Sequence, residues 1–223
     1  MVYFAGMEFT DPKIVAYSEQ HTSKEDALLS ALNHYTHTSV LKPRMLSGHL
    51  QGRFLSFISH LVRPKNVLDI GTYTGYSALC LAEGLAENGK LYTIDNNEEV
   101  MHTAAGFINQ SPYQPNIEMV TGDALTAIDE LNTRVDAWDL VWMDAEKSQY
   151  RAYYDLLIDK LRPGGLIMAD NVLWSGKIVD QRELEKDEDT RLLDAFNKMV
   201  LADNRVENLL LPLRDGIMIV RKL

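Results

Sequence analysis

The chain has 223 residues, with 22 Lys plus Arg against 32 Asp plus Glu, a formal charge of −10. A hydrophobic share of 46% and a charged share of 24% match ordinary globular usage, which excludes a disordered chain and supplies apolar surface for one sizeable core. The acidic balance, with a pI of about 5.0, works against general nucleic-acid binding, which draws on clustered Lys and Arg.

No apolar run approaches the roughly 18 residues of a membrane span. The start, MVYFAGMEFTDPK, lacks the charged n-region and long apolar stretch of a secretory signal, so a cytoplasmic protein without membrane partners is expected. The single cysteine, Cys80, can form neither an intramolecular disulfide nor a Cys-rich zinc site, and in the apolar stretch SALCLA it reads as a small buried hydrophobe. No repeat, low-complexity tract or long linker divides the chain, so residues 1–223 are read as one domain.

In chain order, Thr22-Ser23-Lys24-Glu25-Asp26 offers two overlapping capping boxes, Thr22 with Glu25 and Ser23 with Asp26, ahead of Ala27, Leu28, Ala31, Leu32 and Tyr35 at helical spacing. A second helix is predicted from about His49 to Val62, stopping before Pro64. From Asn66 onward, NVLDIG, KLYTID, IEMVTG, LVWMDA and GLIMAD read as buried strands ending in Gly or near an acidic residue, with room for crossover helices between them. That is the βαβ pattern of an α/β fold, a doubly wound, mostly parallel sheet with helices on both faces. RVENLLLPL and GIMIVRK, joined by Arg214-Asp215-Gly216, read as an antiparallel C-terminal hairpin. In such sheets ligands sit beyond the carboxyl ends of the strands, which directs attention to the residues following each run.

The first strand runs into Asp69-Ile70-Gly71-Thr72-Tyr73-Thr74-Gly75-Tyr76-Ser77. Glycine at 71 and 75 permits a sharp turn close to a ligand, but a dinucleotide fingerprint fails because positions 73 and 76 are both Tyr. A nicotinamide dehydrogenase is therefore disfavoured, while Asp69 offers a carboxylate for an amino group. Asp95 ends the second strand 24 positions after Gly71, where an acidic residue accepts hydrogen bonds from ribose hydroxyls. Gly122-Asp123-Ala124 offers a tight turn for an adenine edge.

The fourth strand ends in Asp144 and the fifth in Asp170-Asn171. If these strands are neighbours, two carboxylates and an amide oxygen converge, the donor set of a hard cation, Mg²⁺ first, with Mn²⁺ or Ca²⁺ as alternatives; zinc would want His or Cys. The competing reading of Asp144 is a helix N-cap. Lys147, three residues on, can lean toward the same site and accept a hydroxyl proton, provided nearby positive charge lowers its pKa. Trp174 and Tyr150 are candidates to flank a planar substrate ring, with packing the alternative for Trp174. The segment 177–189 is a candidate rim, and equally a solvated loop followed by a helix.

LDIGTYTGYSALCLAEGL, followed by TID, GDA, MDAEKSQYRAYYD, LRPGGLIMADNVLWSGK and LPLRDGIMIVRK, with HTSKEDALL and PRMLSGHLQGRFL upstream, resembles the cation-dependent class I O-methyltransferases, the family of caffeoyl-coenzyme A and catechol O-methyltransferases. The resemblance spans nearly the whole chain. It implies S-adenosylmethionine as methyl donor, a Rossmann-like seven-stranded sheet with the last strand antiparallel, and a homodimer. It also implies that residues 1–63 form a helical segment over the cofactor and substrate site. By the same resemblance, Asp69 replaces a customary Glu near the methionine amino group, Gly71 and Tyr73 line the methionine portion, and Ser77 meets its carboxylate. Asp95 would hold the ribose, Ala124 the adenine, and Met45 and Ser47 would close over the cofactor. Asp144, Asp170 and Asn171 fall on the metal-ligand positions and Lys147 on the catalytic one.

The activity expected is methyl transfer to a hydroxyl of a catechol-like molecule. The alternatives are methylation of a hydroxylated uridine in tRNA and an S-adenosylmethionine-binding module without turnover.

Overall fold

The computed structural model describes residues 10–223; residues 1–9, and with them most of the stretch read as lacking a secretory signal, lie outside the described residues. Among the described residues, three α-helices precede the sheet: α1 (Pro12–Gln20), α2 (Ala27–Ser39) and α3 (Gly48–Val62). The start of α2 differs from the capping boxes expected at Thr22 and Ser23. Asp26 is the cap, its carboxylate accepting the Leu29 N–H at 2.7 Å. Glu25 is drawn instead into side-chain bonds from the Asn33 amide at 3.0 Å and the Tyr76 hydroxyl. Thr22 donates back to the Ser18 carbonyl at 2.7 Å.

Helix α3 buries Gln51, Gly52, Leu55, Ser56 and Ser59, one stripe of its surface, and ends with Arg63 in a left-handed conformation before Pro64. Its partner is α4 (Tyr76–Ala82). The helices meet closely because position 52 is glycine: a Cβ there would lie 2.5 Å from the Tyr76 ring.

The strands are β1 (Asn66–Ile70), β2 (Lys90–Asp95), β3 (Ile117–Thr121), β4 (Trp138–Met143), β5 (Leu161–Ala169), β6 (Val206–Leu211) and β7 (Ile217–Lys222), in the order β3-β2-β1-β4-β5-β7-β6. All pair in parallel except β7, which runs antiparallel to both β5 and β6. This is the Rossmann-like, seven-stranded, mostly parallel sheet with an antiparallel C-terminal hairpin. Besides α4, the crossover helices are α5 (Glu98–Ile108), α6 (Ala124–Arg134), α7 (Tyr150–Leu157), α8 (Gln181–Lys186) and α9 (Glu188–Ala202).

Alternation along the strands divides the core into two layers. Leu68, Ile70, Val141, Met143, Ile167 and Ala169 face one layer, with Ile128 of α6, Leu157 of α7 and Phe196 of α9. Val67, Leu140, Trp142 and Met168 face the other, with Leu32 of α2, Leu55 of α3 and Leu79 of α4. Burial on both faces explains why these strands read as near-continuous apolar runs. Truncating one such side chain, Leu140→Ala for example, would cost about 2–5 kcal/mol. Cys80 is fully buried in the second layer, which raises its thiol pKa.

The strand order reverses between β1 and β4, the switch point where an open α/β sheet leaves a crevice at its carboxyl edge. Among the described residues no helix is long and apolar enough to cross a membrane.

Candidate active site

A cavity of about 830 Å³ opens at this edge. It is lined by residues following β1 (Gly71, Thr72, Tyr73, Tyr76, Ser77), β2 (Asp95, Asn96), β3 (Gly122, Asp123, Ala124), β4 (Asp144, Glu146, Lys147) and β5 (Asp170, Asn171, Trp174). Arg44, Met45, Leu46 and Ser47 reach it from the segment before α3, and Arg214 and Asp215 from the β6–β7 turn. Twelve of the fourteen residues singled out from sequence thus share one cavity: Met45, Ser47, Gly71, Tyr73, Ser77, Asp95, Ala124, Asp144, Lys147, Asp170, Asn171 and Trp174.

On the β1–β3 side, Gly71 has φ +105°, and a Cβ there would fall 2.0 Å from the Asp144 carbonyl. Only glycine lets the two strand ends approach this closely. The Gly71 N–H donates to Ile94 at 2.9 Å and the Asp144 N–H to Ile70 at 2.8 Å, so the ends of β1, β2 and β4 are stitched together. Asp95 accepts the backbone N–H of Tyr73 at 2.8 Å and of Asn97 at 3.0 Å, which fixes its carboxylate at the rim. The Tyr73 hydroxyl donates to the Leu41 carbonyl at 2.9 Å, tying the strand-end turn to the segment that carries Met45. Asp123 caps α6 by accepting the Thr126 N–H at 3.0 Å, leaving Ala124 in the first turn beside the cavity.

Asp69 differs from the expected direct contact with a ligand. It is fully buried and does not line the cavity. Its carboxylate accepts from Thr93 Oγ1 at 2.6 Å and from Ser77 Oγ at 3.1 Å. On β1 it alternates onto the same face as Val67, and the short aspartate side chain ends beneath Ser77, the residue that does reach the cavity. Burial, against the pull of the two hydroxyls, pushes its pKa up to about 7.

On the β4–β5 side, Lys147 Nζ donates to Asp144 Oδ1 at 2.8 Å and to the Tyr150 hydroxyl at 2.8 Å. Burial works to lower the lysine's pKa, but Asp144 and Tyr150 outweigh it and hold the ammonium above the ordinary lysine value. The lowered pKa expected from sequence would require positive charge placed beside Lys147 to offset Asp144. Asp144 is not the helix cap of the competing reading: Glu146 caps the following 3-10 turn, Lys147–Gln149.

Tyr150 also differs from expectation. It is fully buried, does not line the cavity, and its hydroxyl donates toward the carbonyls of Met143 at 3.1 Å and Asp170 at 3.0 Å. As the first residue of α7 it points under the strand ends, so it braces the site rather than flanking a substrate. Tyr153 and Gln149, one helical turn apart and joined through the Tyr153 hydroxyl at 2.5 Å, line the cavity instead.

Asp170 is 3% exposed, with Gln51 Nε2 2.7 Å from Oδ2 and the Asn171 N–H 2.8 Å from Oδ1. Burial and the neighbouring Asp144 charge push its pKa up, opposed by Lys147. Asn171 follows with φ 58° and lines the cavity; its backbone N–H is taken by Asp170, while its side-chain amide makes no hydrogen bond among the described residues. Two mutually repelling carboxylates and an uncommitted amide oxygen fit a hard divalent cation in donor chemistry and in charge. No cluster of three or more His, Cys, Asp or Glu suited to a metal occurs among the described residues; the set here is two carboxylates and an amide.

The loop after β5 is held in left-handed conformations at Asn171, Trp174 and Ser175, the backbone strain that collects at functional sites. Trp174 Nε1 donates to Asp187 at 3.3 Å and Lys177 pairs with the same carboxylate at 2.6 Å, so Trp174 lines the cavity with its indole anchored. Of the segment 177–189, Lys177 lines the cavity, while α8 and the start of α9 take up most of the rest. Sequence reasoning missed Gln51, Tyr153, Arg214 and Asp215. Gln51 lay unremarked inside a helical stripe, and Arg214-Asp215-Gly216 carried only a turn signal.

The O-methyltransferase family model matches residues 19–223. Caffeoyl-CoA O-methyltransferase 1 of Arabidopsis thaliana is 35% identical over 180 residues, covering 78% of this chain and 70% of that protein. Caffeoyl-CoA O-methyltransferase of Medicago sativa is 34% identical, covering 78% and 73%. Among solved structures, the O-methyltransferase from Bacillus cereus in complex with SAH superposes with TM-score 0.86 at 27% identity, over 94% of this chain and 97% of that one. The SAH-bound methyltransferase of Podospora anserina gives 0.84 at 26% identity, over 95% and 94%.

Proposed function

The chain belongs to the O-methyltransferase family and is an S-adenosylmethionine-dependent O-methyltransferase, and from that premise we propose that its acceptor is a catechol-like, vicinal dihydroxy aromatic small molecule methylated with the help of a divalent cation. The observation that carries this reading is that Asp144, Lys147, Asp170 and Asn171 line the same cavity as Gly71, Ser77 and Asp95.

In this reading the β1–β3 side holds S-adenosylmethionine. Asp95 takes the ribose hydroxyls, the backbone at Ala124 the adenine, and Ser77, Gly71 and Tyr73 the methionine portion, with Met45 and Ser47 over it. Asp69 acts through Ser77, whose hydroxyl it orients. Asp144, Asp170 and Asn171 hold the cation. A divalent ion bound there, Mg²⁺ first and Mn²⁺ or Ca²⁺ as alternatives, would supply Lewis-acid stabilisation of a phenolate and open positions for two adjacent hydroxyls.

Lys147 is the proton acceptor. A phenol has a pKa of about 10 and is a poor nucleophile at neutral pH. Lys147 is held protonated by Asp144, with Tyr150 adding to the effect and burial opposing it; a cation held by Asp144 would offset that carboxylate's charge and so favour the neutral amine. Nζ can then take the hydroxyl proton while Tyr150 keeps the amine on station. Trp174 and Tyr153 bound the space for the acceptor ring and keep bulk water from it. The reading includes a homodimer, for which Phe57 and Leu61 of α3, 71% and 72% exposed, offer an apolar surface; sedimentation checks it.

The test is transfer of labelled methyl from S-adenosylmethionine to a panel of catechols, with Mg²⁺ and with chelator, and with a hydroxylated uridine for comparison. Transfer to a catechol that chelator abolishes is expected. Transfer that persists in chelator would remove the cation from the reading, and transfer to the uridine alone would replace the acceptor.

A further inference from the structure

The turn between β6 and β7 reaches across the cavity from the far edge of the sheet. Arg214 in this turn has φ 50°, a left-handed backbone that persists in a non-glycine residue only where its surroundings hold it. Its guanidinium Nη1 donates to the Leu46 carbonyl at 3.0 Å, to the Ser47 carbonyl, and to Gln51 Oε1 at 2.6 Å. Gln51 is fully buried and its Nε2 donates to Asp170 Oδ2 at 2.7 Å.

The amide is oriented by its two neighbours. A guanidinium can only donate and an ionised carboxylate can only accept, so Oε1 must face Arg214 and Nε2 must face Asp170. A neutral residue with a donor at one end and an acceptor at the other is what joins a cation to an anion without adding charge between them. A glutamate at 51 would set a third carboxylate against Asp170 and Asp144.

Resting on the reading above, we propose that Arg214 and Gln51 are positioning residues that tie the Leu46–Ser47 backbone, on the cofactor side of the cavity, to Asp170, on the cation side, so that loosening one side loosens the other. The same turn is anchored to the loop after β5: the Leu173 N–H donates to the Asp215 carbonyl at 2.9 Å and the Val172 N–H to the Gly216 carbonyl at 3.1 Å, and the Ser175 N–H donates to the Asp215 carboxylate. Arg214 therefore pulls on Ser47 from a fixed base.

Arg214→Met keeps the aliphatic stem and removes the three donations. SAH affinity, read by calorimetry on the full chain, should fall about tenfold. Mn²⁺ affinity, read by electron paramagnetic resonance, should fall as well, although Arg214 does not touch Asp170. That second loss is the readout a merely structural arginine would not produce. Gln51→Leu should weaken Mn²⁺ binding about tenfold, the low end for losing a partner of a metal-ligating carboxylate. Arg214→Lys, which can still donate but lacks the planar fork, should recover part of the SAH affinity. Because the two residues act in series, Arg214→Met with Gln51→Leu should weaken Mn²⁺ no further than Gln51→Leu alone.

SAH and Mn²⁺ affinities within twofold of wild type in Arg214→Met would overturn the proposal, as would Mn²⁺ losses that multiply in the double variant. Should Arg214→Met fail to fold, Arg214→Lys and Gln51→Leu carry the same comparison. A wild-type chain that binds neither SAH nor Mn²⁺ would overturn the proposed function and this inference together; normal wild-type binding with unaffected variants overturns the inference alone.

Discussion

Lys147 Nζ lies 2.8 Å from Asp144 Oδ1, a half-buried ion pair placed one strand away from the second carboxylate, Asp170. The pair makes Lys147 the counter-charge of a site with excess negative charge, and it makes release of the lysine's proton depend on what else engages Asp144. Lys147→Met should lower kcat by at least about 100-fold, the lower bound typical of losing a positioned general base, with SAH affinity unchanged. It should also raise the thermal stabilisation by Mg²⁺ above that of wild type, since two carboxylates then face each other without the ammonium. Melting curves with and without Mg²⁺ check this; equal shifts in both proteins would argue against the counter-charge role.

Tyr150→Phe distinguishes a brace from a ring platform. Loss of the buried hydroxyl, which joins Lys147 to the carbonyls of Met143 and Asp170, should cost about 1–3 kcal/mol of stability in urea denaturation. It should reduce kcat while leaving KM for the acceptor unchanged. A raised KM with an unchanged kcat would return Tyr150 to the substrate.

The buried carboxyl of Asp69 gives a pH signature. Its folded pKa, about 7, stands above the ordinary 3.8 because burial penalises the charged form. The neutral form is thus favoured on folding, so its contribution to stability is fully present below about pH 4 and is lost as pH rises through about 7. Asp69→Asn removes that loss. Its melting temperature minus that of wild type should increase from pH 4.5 to about pH 7 and level off above it, measured by thermal melts; a difference independent of pH would contradict the raised pKa.

Two glycines should respond oppositely to alanine. Gly71→Ala meets both a φ of +105° and the Asp144 carbonyl 2.0 Å from the new Cβ, and should cost about 3 kcal/mol or more while abolishing SAH binding. Gly106→Ala, exposed within α5 with nothing within 4 Å of the added Cβ, should stabilise by about 0.5–1 kcal/mol. Urea midpoints of the two variants provide the measurement.

The strands and their order of chemistry were written locally. Apolar runs closed by Gly71, Asp95, Asp144 and Asp170 announced a parallel sheet whose carboxyl edge carries the site, because a strand buried on both faces has little freedom in composition and a ligand-facing strand end little freedom in residue type. Gly71 was legible for the same reason: only glycine tolerates that approach. What sequence could not supply was direction and distance. Whether Asp69 reaches the cavity or stops beneath Ser77 depends on the face of β1 it occupies and on one methylene of reach, and whether Tyr150 faces a ligand or the underside of β4 and β5 depends on how α7 is docked. The protonation of Lys147 follows from a balance of burial against two neighbours that only their coordinates fix. Arg214, Gln51 and Asp170, separated by 163 and 119 positions along the chain, make one hydrogen-bonded line because the turn of the C-terminal hairpin meets the start of α3; no local pattern encodes a contact whose partners meet only after the sheet has closed.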